Sequence, residues 1–164
     1  MGSTHPFRVI FAPQKHDLKQ GDMEELLELK ELLIHKDFEG AYALVEDLEE
    51  MGKKGVARNV RFYAKVLLLH LIKQQVEQRT TKSWDISIRN SLREIKDLNT
   101  RPSGKGTYLN NEELREVIAG AVDSAIDQAS IEAAEGIYEA RQIEQKIDRN
   151  ELVKRAIALI HSSF

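Results

Sequence analysis

The chain contains no cysteine among its 164 residues. This absence excludes a disulfide framework, a thiolate metal site and a cysteine nucleophile, and it is compatible with a reducing cytoplasm. Only three prolines are present, and two of them, Pro6 and Pro13, lie near the N-terminus. Because proline interrupts a helix, we expect residues 1–16 to form an arm rather than part of a helical domain.

The chain also lacks an apolar run of the roughly 20 residues that a membrane-spanning helix needs. Its most apolar stretch, residues 66–72, is interrupted by His70. Residues 1–16 show no charged start followed by a long apolar segment and a small-residue cleavage site, so we expect no signal peptide. Valine, threonine and phenylalanine do not recur in alternation, which argues against β-sheet. We therefore expect a cytoplasmic, all-α protein.

The composition, with 41% hydrophobic and 31% charged residues, is typical of a helix-rich globule. Residues 17–164 are long enough for one domain with a buried core. The apolar spacing predicts an up-down-type bundle of five or six helices. The first three expected helices are Asp22 (as N-cap) to His35, Phe38 to Met51 after Asp37 with Tyr42 among its inward residues, and residues 56–78 as the central helix of the bundle. The others are Trp84 to Leu98 after Ser83, a segment from Leu114 to Ala140 that Asn110 caps with Glu113 in the first turns, and Leu152 to Ile160 after Asp148.

Two points in this pattern stay open. The tetrad Gly52 to Gly55 is either a turn or a tolerated weak spot in a continuing helix. Gly136 either sits inside one long helix or breaks it. The stripe on the first helix, made by Leu26, Leu29 and Leu33 with their neighbours, is expected to face inward.

Charge is distributed in blocks, although the net charge is only −3. Residues 17–51 carry 12 acids and 3 bases, residues 52–106 carry 13 bases and 4 acids, and residues 107–164 carry 11 acids and 6 bases. Either the acidic helices neutralise the basic pair internally, or the basic block forms a face for nucleic acid or an acidic partner. Its candidate binding residues are Lys53, Lys54, Arg58, Arg61, Lys65, Arg79, Lys82, Arg89 and Arg93. We expect Tyr63 and Trp84 in the core, which leaves only nonspecific binding by phosphate contacts.

Three segments carry a family resemblance: LVEDLEEMG at 44–52, VLLLHLIK at 66–73 and KSWDISIR at 82–89. An acidic helix ending in Met-Gly, arginines after it, a leucine-rich segment with His and Lys, and a later Ser-Trp resemble the bacterial family called domain of unknown function 29. The motif residues are His70, Lys73, Ser83 and Trp84. In this chain Gln74, Gln75 and Val76 replace the family's Trp and Tyr-Gln-Pro. The resemblance implies an all-α fold and no particular activity.

Two groups of residues have side chains that could serve in catalysis or metal binding. His70 lies on an apolar helical face with Tyr63 and Leu67, where a hydrogen-bonded core histidine is commoner than a base or a ligand. No Glu-x-x-His pair of the kind used in helical metal sites occurs, so we expect no metal ion and no cofactor. Arg155 and His161 have a spacing similar to the nuclease motif of the HEPN superfamily, but Ala156 stands where that motif usually has a polar residue.

Taken together, these features predict a non-catalytic helical interaction or scaffold module. Its partner is another protein or a second copy, because the small-residue stripe from Ala119 to Ala134, the apolar arm and Phe164 offer surface for a homodimer. The first alternative is a nucleic-acid-associated protein that uses the basic residues between 53 and 96. The second is a HEPN-like RNase that uses Arg155 and His161 for charge stabilisation and proton transfer.

Overall fold

The part of the chain that the computed structural model describes, residues 20–162 with side chains from residue 23, is helical almost throughout. The expected N-terminal arm and Phe164 lie outside it. The helices are α1 (Gln20–Ile34), α2 (Phe38–Glu77), α3 (Lys82–Asn99), α4 (Asn111–Gly120), α5 (Val122–Glu132), α6 (Ala140–Lys146) and α7 (Arg149–Ser162), with a 3-10 turn at Ala133–Gly136. The described residues contain no strand, only an isolated bridge between Thr100 and Thr107. The all-α prediction is confirmed.

The chain forms two compact units, Met1–Gly55 and Val56–Phe164. In the first unit, α1 ends where Lys36 takes a left-handed backbone conformation with φ of 57°. Asp37 then caps α2 as expected, because its Oδ1 accepts a hydrogen bond of 3.0 Å from the Gly40 amide. The predicted start of α1 was wrong: the helix begins at Gln20, so Asp22 lies inside it rather than at its N-cap.

Helix α2 is continuous from Phe38 to Glu77, so the two segments expected on either side of residues 52–55 are one helix of 40 residues. Gly52 and Gly55 are therefore weak positions inside a helix and not a turn. A Cβ atom added at either glycine would meet nothing within 4 Å. Each glycine in a helix interior lowers helix stability by about 1 kcal/mol relative to alanine. Core packing of the apolar residues that follow Gly55 in α2 offsets that cost.

The core of the second unit is built around residues 60–72 of α2, as predicted for a central helix. Val60, Ala64, Leu67, Leu68 and Ile72 are each completely buried. Apolar residues of α3, α4, α5, α6 and α7 belong to the same cluster. Helix α7 packs against α3 and α4, and α5 packs against α4 and α6. This packing holds the N-terminal part of α3 and the C-terminal part of α5 near the end of α2.

The helix caps of the second unit confirm two predictions and correct a third. Asn110 forms a capping box with Glu113, as expected. Asp148 caps the last helix, as expected, because its Oδ1 accepts a hydrogen bond from the Glu151 amide at 3.1 Å. That helix begins at Arg149, three residues earlier than predicted. The N-cap of α3 is Thr81 and not Ser83: the Thr81 side chain accepts a hydrogen bond from the Trp84 amide at 3.1 Å.

The small-residue segment after Leu114 is broken twice. It bends at Ala121, between α4 and α5, where no side chain caps the new helix. It stops again after Glu132, where Ala134, Glu135 and Gly136 all have positive φ. A Cβ on Gly136 would lie 3.0 Å from the carbonyl oxygen of Ile131, so only glycine fits there without a shift. Of the two possibilities left open for Gly136, the structure shows the break.

Candidate functional site

The family-motif residue Trp84 is the centre of a charged cluster at the end of α2. Its side chain is 9% exposed. The Lys73 ammonium lies 4.8 Å from the ring centroid, and the Arg79 guanidinium carbon lies at the same distance. Cations within about 6 Å of an aromatic ring are attracted by the electron density of its face. Trp84 therefore fixes two basic side chains, Lys73 of α2 and Arg79 of the α2–α3 connection.

Lys73 is buried and pairs with Glu132, which lies 59 residues later at the end of α5. The Lys73 Nζ atom is 3.1 Å from Glu132 Oε1, and its side chain is only 10% exposed. Burial alone would raise the pKa of Glu132, but hydrogen bonds from Gln128 and Lys73 and the Lys73 charge outweigh it and lower that pKa. A buried ammonium is costly without such a partner. The ion pair thus ties α5 to α2.

Glu77 makes a second connection between the same elements. Its Oε2 accepts a hydrogen bond of 2.8 Å from the Ala134 amide, at the start of the left-handed segment after α5. Its Oε1 lies 2.8 Å from the Arg79 guanidinium. The Ala134 hydrogen bond is the main cause that lowers the pKa of Glu77, and the Arg79 interactions add to it. The carboxylate therefore satisfies a backbone donor that the helix break leaves free.

His70 is the last member of the cluster, and one of its ring nitrogens has no hydrogen-bond partner among the described residues. Its ring centroid is 6.5 Å from that of Trp84. The Nδ1 atom is buried and has no partner among the described residues. Burial, followed by the positive charge of Lys73, lowers the pKa of His70 from its usual value of 6.5. In the described part of the chain no group of three His, Asp or Glu residues could hold a metal ion.

His70, Lys73 and Trp84 thus meet, together with Glu77 and Glu132, and we name these five residues the Trp84 clamp. The contacts of the clamp join the end of α2, the first turn of α3 and the end of α5. Ser83 is exposed in the first turn of α3 and takes no part in it. Apart from His70 Nδ1, the polar groups of these residues pair with one another or with Ala134, Arg79 and Gln128, which indicates a structural role.

Among the predicted basic residues of the second unit, two groups line different clefts. Arg58, Arg61 and Lys65 meet on α2 and line a cleft of about 210 Å³ with Phe62, Ala121 and Ser124, and no acidic residue lines it. We name this the α2–α5 cleft. Lys53 and Lys54 belong to the first unit, where Lys54 Nζ lies 3.5 Å from Glu50.

The other basic residues lie elsewhere in the second unit. Arg79 belongs with Trp84, and the Arg93 guanidinium donates to Asn90 at 3.3 Å. Lys82 and Arg89 line a second groove, of about 440 Å³, together with Arg155 and the acidic Asp85. The remaining residues that line this groove are Leu71, Gln74, Ile88, Leu92 and Leu159. We name it the α3–α7 groove.

The two residues of the nuclease-like spacing do not share a site within the chain. Arg155 lines the α3–α7 groove and donates a hydrogen bond of 3.3 Å to Gln74. His161 is exposed in the last turn of α7 and does not line that groove. Six residues on an α-helix correspond to a rotation of about 240°, so the two side chains leave the helix in different directions. An RNase activity of this pair stays a prediction.

An exposed apolar face in the first unit was not foreseen. Leu26 and Leu33, expected to face inward, are 46% and 49% exposed. Tyr42, expected inside α2, is 67% exposed. Among the described residues of this unit, the large apolar side chains left exposed are Met23, Leu26, Leu27, Leu33, Ile34, Phe38, Tyr42 and Met51. We name them the α1–α2 apolar face. In the sequence, this face is indicated only by the apolar stripe on α1, which is wider than contact with one neighbouring helix can cover.

Comparison with known proteins gives a family and nothing finer. A family model described as "Domain of unknown function DUF29" matches residues 14–150. No curated protein and no solved structure matches the chain. None of the helices in the described residues has the length and apolar character needed to cross a membrane.

Proposed function

This chain belongs to the DUF29 family, and we propose that it is a non-catalytic protein-interaction module whose docking surface is the α1–α2 apolar face. The observation that supports the proposal is the exposure of eight large apolar side chains in one short unit. Leu27, Ile34, Phe38 and Tyr42 are each more than half exposed. A concentration of exposed large apolar side chains on a folded protein commonly marks an interface.

The spacing on α1 suits a helical docking surface. Leu26, Leu27 and Ile34 lie three, four and eleven residues after Met23, which places all four side chains along one side of the helix. Amphipathic helices bind partner grooves through anchors spaced in this way. The Leu29 and Leu32 side chains, by contrast, are half-buried within the unit. The unit therefore has an inner apolar side and a second, outer one.

Charge indicates what kind of partner fits. Residues 17–51 carry 12 acids and 3 bases, so the docking face belongs to a strongly acidic segment. Two copies that met through this same face would bring like charges together, which is unfavourable. We therefore propose a partner with an apolar patch bordered by Lys or Arg. In a homodimer, residues 52–106 of the second copy, with 13 bases and 4 acids, would supply the positive charge.

A pair of substitutions on the apolar face tests the proposal. Leu27→Glu with Ile34→Glu puts two charges on exposed positions of α1, 59% and 62% exposed in the wild type. We expect the helical fold to survive, since surface substitutions change stability by about 0.5 kcal/mol or less. We expect association to weaken at least tenfold, because burying an unpaired charge in an apolar interface costs more than about 1.4 kcal/mol. Sedimentation velocity and co-purification from producing cells measure it.

The matched control carries the same charge change on the second unit. Ile131 and Ile137 are both 68% exposed, and Ile131→Glu with Ile137→Glu should leave the complex or dimer intact. A wild-type chain that sediments as a monomer and co-purifies with no stoichiometric protein would contradict the proposal. So would an equal loss of association in both double variants.

A further inference from the structure

The α2–α5 cleft concentrates positive charge that nothing in the described residues neutralises. Arg58, Arg61 and Lys65 lie three and four residues apart along one side of α2, where like charges repel. None of them makes an ion pair among the described residues, whereas Lys54, Lys73, Arg79, Arg149 and Lys154 all do. Three unpaired cations lining one cleft form a site for an anion.

The walls of the cleft leave room for such an anion. Opposite α2, the cleft is lined by Ala121 and Ser124, at the bend between α4 and α5. These small residues keep the cleft open, and Ser124 adds a hydroxyl group that hydrogen-bonds well to phosphate oxygens. Arg61 Nε lies 3.9 Å from the position of a Cβ on Gly120, so this guanidinium reaches across to the end of α4.

Phe62 adds an aromatic surface beside the cations. It lines the same cleft and is 37% exposed, unlike the buried Trp84. Tyr63 packs edge-on against it, with ring centroids 5.0 Å apart and an interplanar angle of 88°, which holds the Phe62 ring in place. Every nucleobase has a face that stacks on such a ring, and cationic grooves with exposed aromatics are the usual means of binding single strands.

From these contacts we infer that the α2–α5 cleft binds nucleotide units of a single-stranded nucleic acid. Arg58, Arg61 and Lys65 contact the phosphates and Phe62 stacks on a base. The α3–α7 groove also contains three cations, but Asp85 lies among them and Arg155 is hydrogen-bonded to Gln74. The α2–α5 cleft has neither form of compensation and also has the exposed ring. No residue that lines this cleft belongs to the α1–α2 apolar face, so different variants test the two proposals.

Fluorescence anisotropy of the full chain with a fluorescein-labelled ten-nucleotide oligothymidine tests the inference. Three phosphate contacts on a single strand give a logarithmic salt slope of about −2, so binding should weaken about 20-fold between roughly 50 and 200 mM salt. Phe62→Leu should weaken binding about tenfold with an unchanged salt slope, because it removes stacking and no charge. Arg58→Glu with Lys65→Glu should abolish binding.

Lys82→Glu with Arg89→Glu is the matched control, since it makes the same charge change in the α3–α7 groove. It should retain most of the affinity, and circular dichroism should show that all variants keep the helical fold. Equal loss in both charge variants would overturn the site by showing general attraction only. Wild-type affinity in Phe62→Leu would overturn the stacking contact. Unlabelled ATP that displaces the oligonucleotide would show that a single nucleotide suffices. A chain that fails to bind at 50 mM salt would overturn the inference altogether.

Discussion

His70 is the single residue whose ionisation bears most directly on the Trp84 clamp. Its Nδ1 is buried without a hydrogen bond, and burial together with the Lys73 charge lowers its pKa below the usual 6.5. An unfolded chain therefore binds a proton at His70 more readily than the folded chain does. By linkage, stability from this residue is complete above pH 6.5 and is lost as the pH falls through 6.5 toward the lower folded pKa.

The resulting prediction concerns the pH dependence of unfolding. His70→Gln keeps the side chain polar but removes its ionisation. We expect the free energy of unfolding, from urea denaturation at pH 7.5 and 5.5, to fall less with acidification in this variant than in the wild type. Glu77 and Glu132, whose pKa values are lowered from 4.5, contribute stability that is lost only in a more acidic range. Identical pH dependence in the two proteins would show that His70 ionises freely in the folded state.

The sequence could indicate these residues but not their contacts. His70, Lys73 and Trp84 were identified through a family resemblance, and the helical spacing placed His70 on an apolar face. The partner of Lys73, Glu132, lies 59 residues away, in the part of the small-residue segment that follows the bend at Ala121. Such a pairing depends on how α5 ends, which no local pattern states. Phe62 was likewise missed, because it begins an apolar stretch in which exposure depends on neighbouring helices.

Among the helices, α2 shows most clearly that tertiary packing can outweigh local sequence preference. The helix passes through Gly52 and Gly55 without interruption, although two glycines in one turn favour a break. Its C-terminal half is part of the core, and that packing stabilises the helix beyond what intrinsic propensity provides.

Replacing these glycines should therefore stabilise the protein. Gly52→Ala with Gly55→Ala introduces Cβ atoms into open space, and we expect a gain of about 1–2 kcal/mol in the free energy of unfolding. The contrasting variant is Gly136→Ala, where φ is +75° and the new Cβ would crowd the Ile131 carbonyl oxygen. We expect it to destabilise the protein by about 1 kcal/mol or more. Urea denaturation distinguishes the two, and a destabilised Gly52/Gly55 variant would show that the fold needs a flexible joint at these positions.

The helix ends show where the local sequence was enough to predict the start of a helix. Asn110 and Glu113 form a capping box whose partners are three residues apart, so the sequence sufficed. At the start of α3, Thr81 and Ser83 are chemically equivalent caps. The choice of Thr81 accompanies contacts from another helix: Gln74 donates to Thr80 at 2.8 Å, and Thr80 donates to Asp85 at 2.7 Å. Those contacts fix the connection that precedes α3, and residue preferences at helix caps do not predict them.

At the scale of the whole molecule, charge and apolar exposure follow the two units. The acidic block of residues 17–51 falls in the first unit, and most of the basic block falls in α2 and α3 of the second. The block pattern and the all-α class were evident from sequence. Which apolar residues remain uncovered was not, since a stripe of leucines on a helix predicts burial without saying by which partner. That uncovered surface is the basis of the proposed interaction function.

Site-specific photo-crosslinking of the full chain in producing cells tests that function most directly. A photoreactive phenylalanine analogue at position 38 replaces a side chain that is 65% exposed on the α1–α2 apolar face. The same analogue at Lys154, whose side chain is 73% exposed on α7, is the control. We predict one discrete protein adduct from position 38, whether with another protein or with a second copy, and none from position 154. The absence of an adduct at position 38, or the same adducts from both positions, would contradict the proposal that this face is a docking surface.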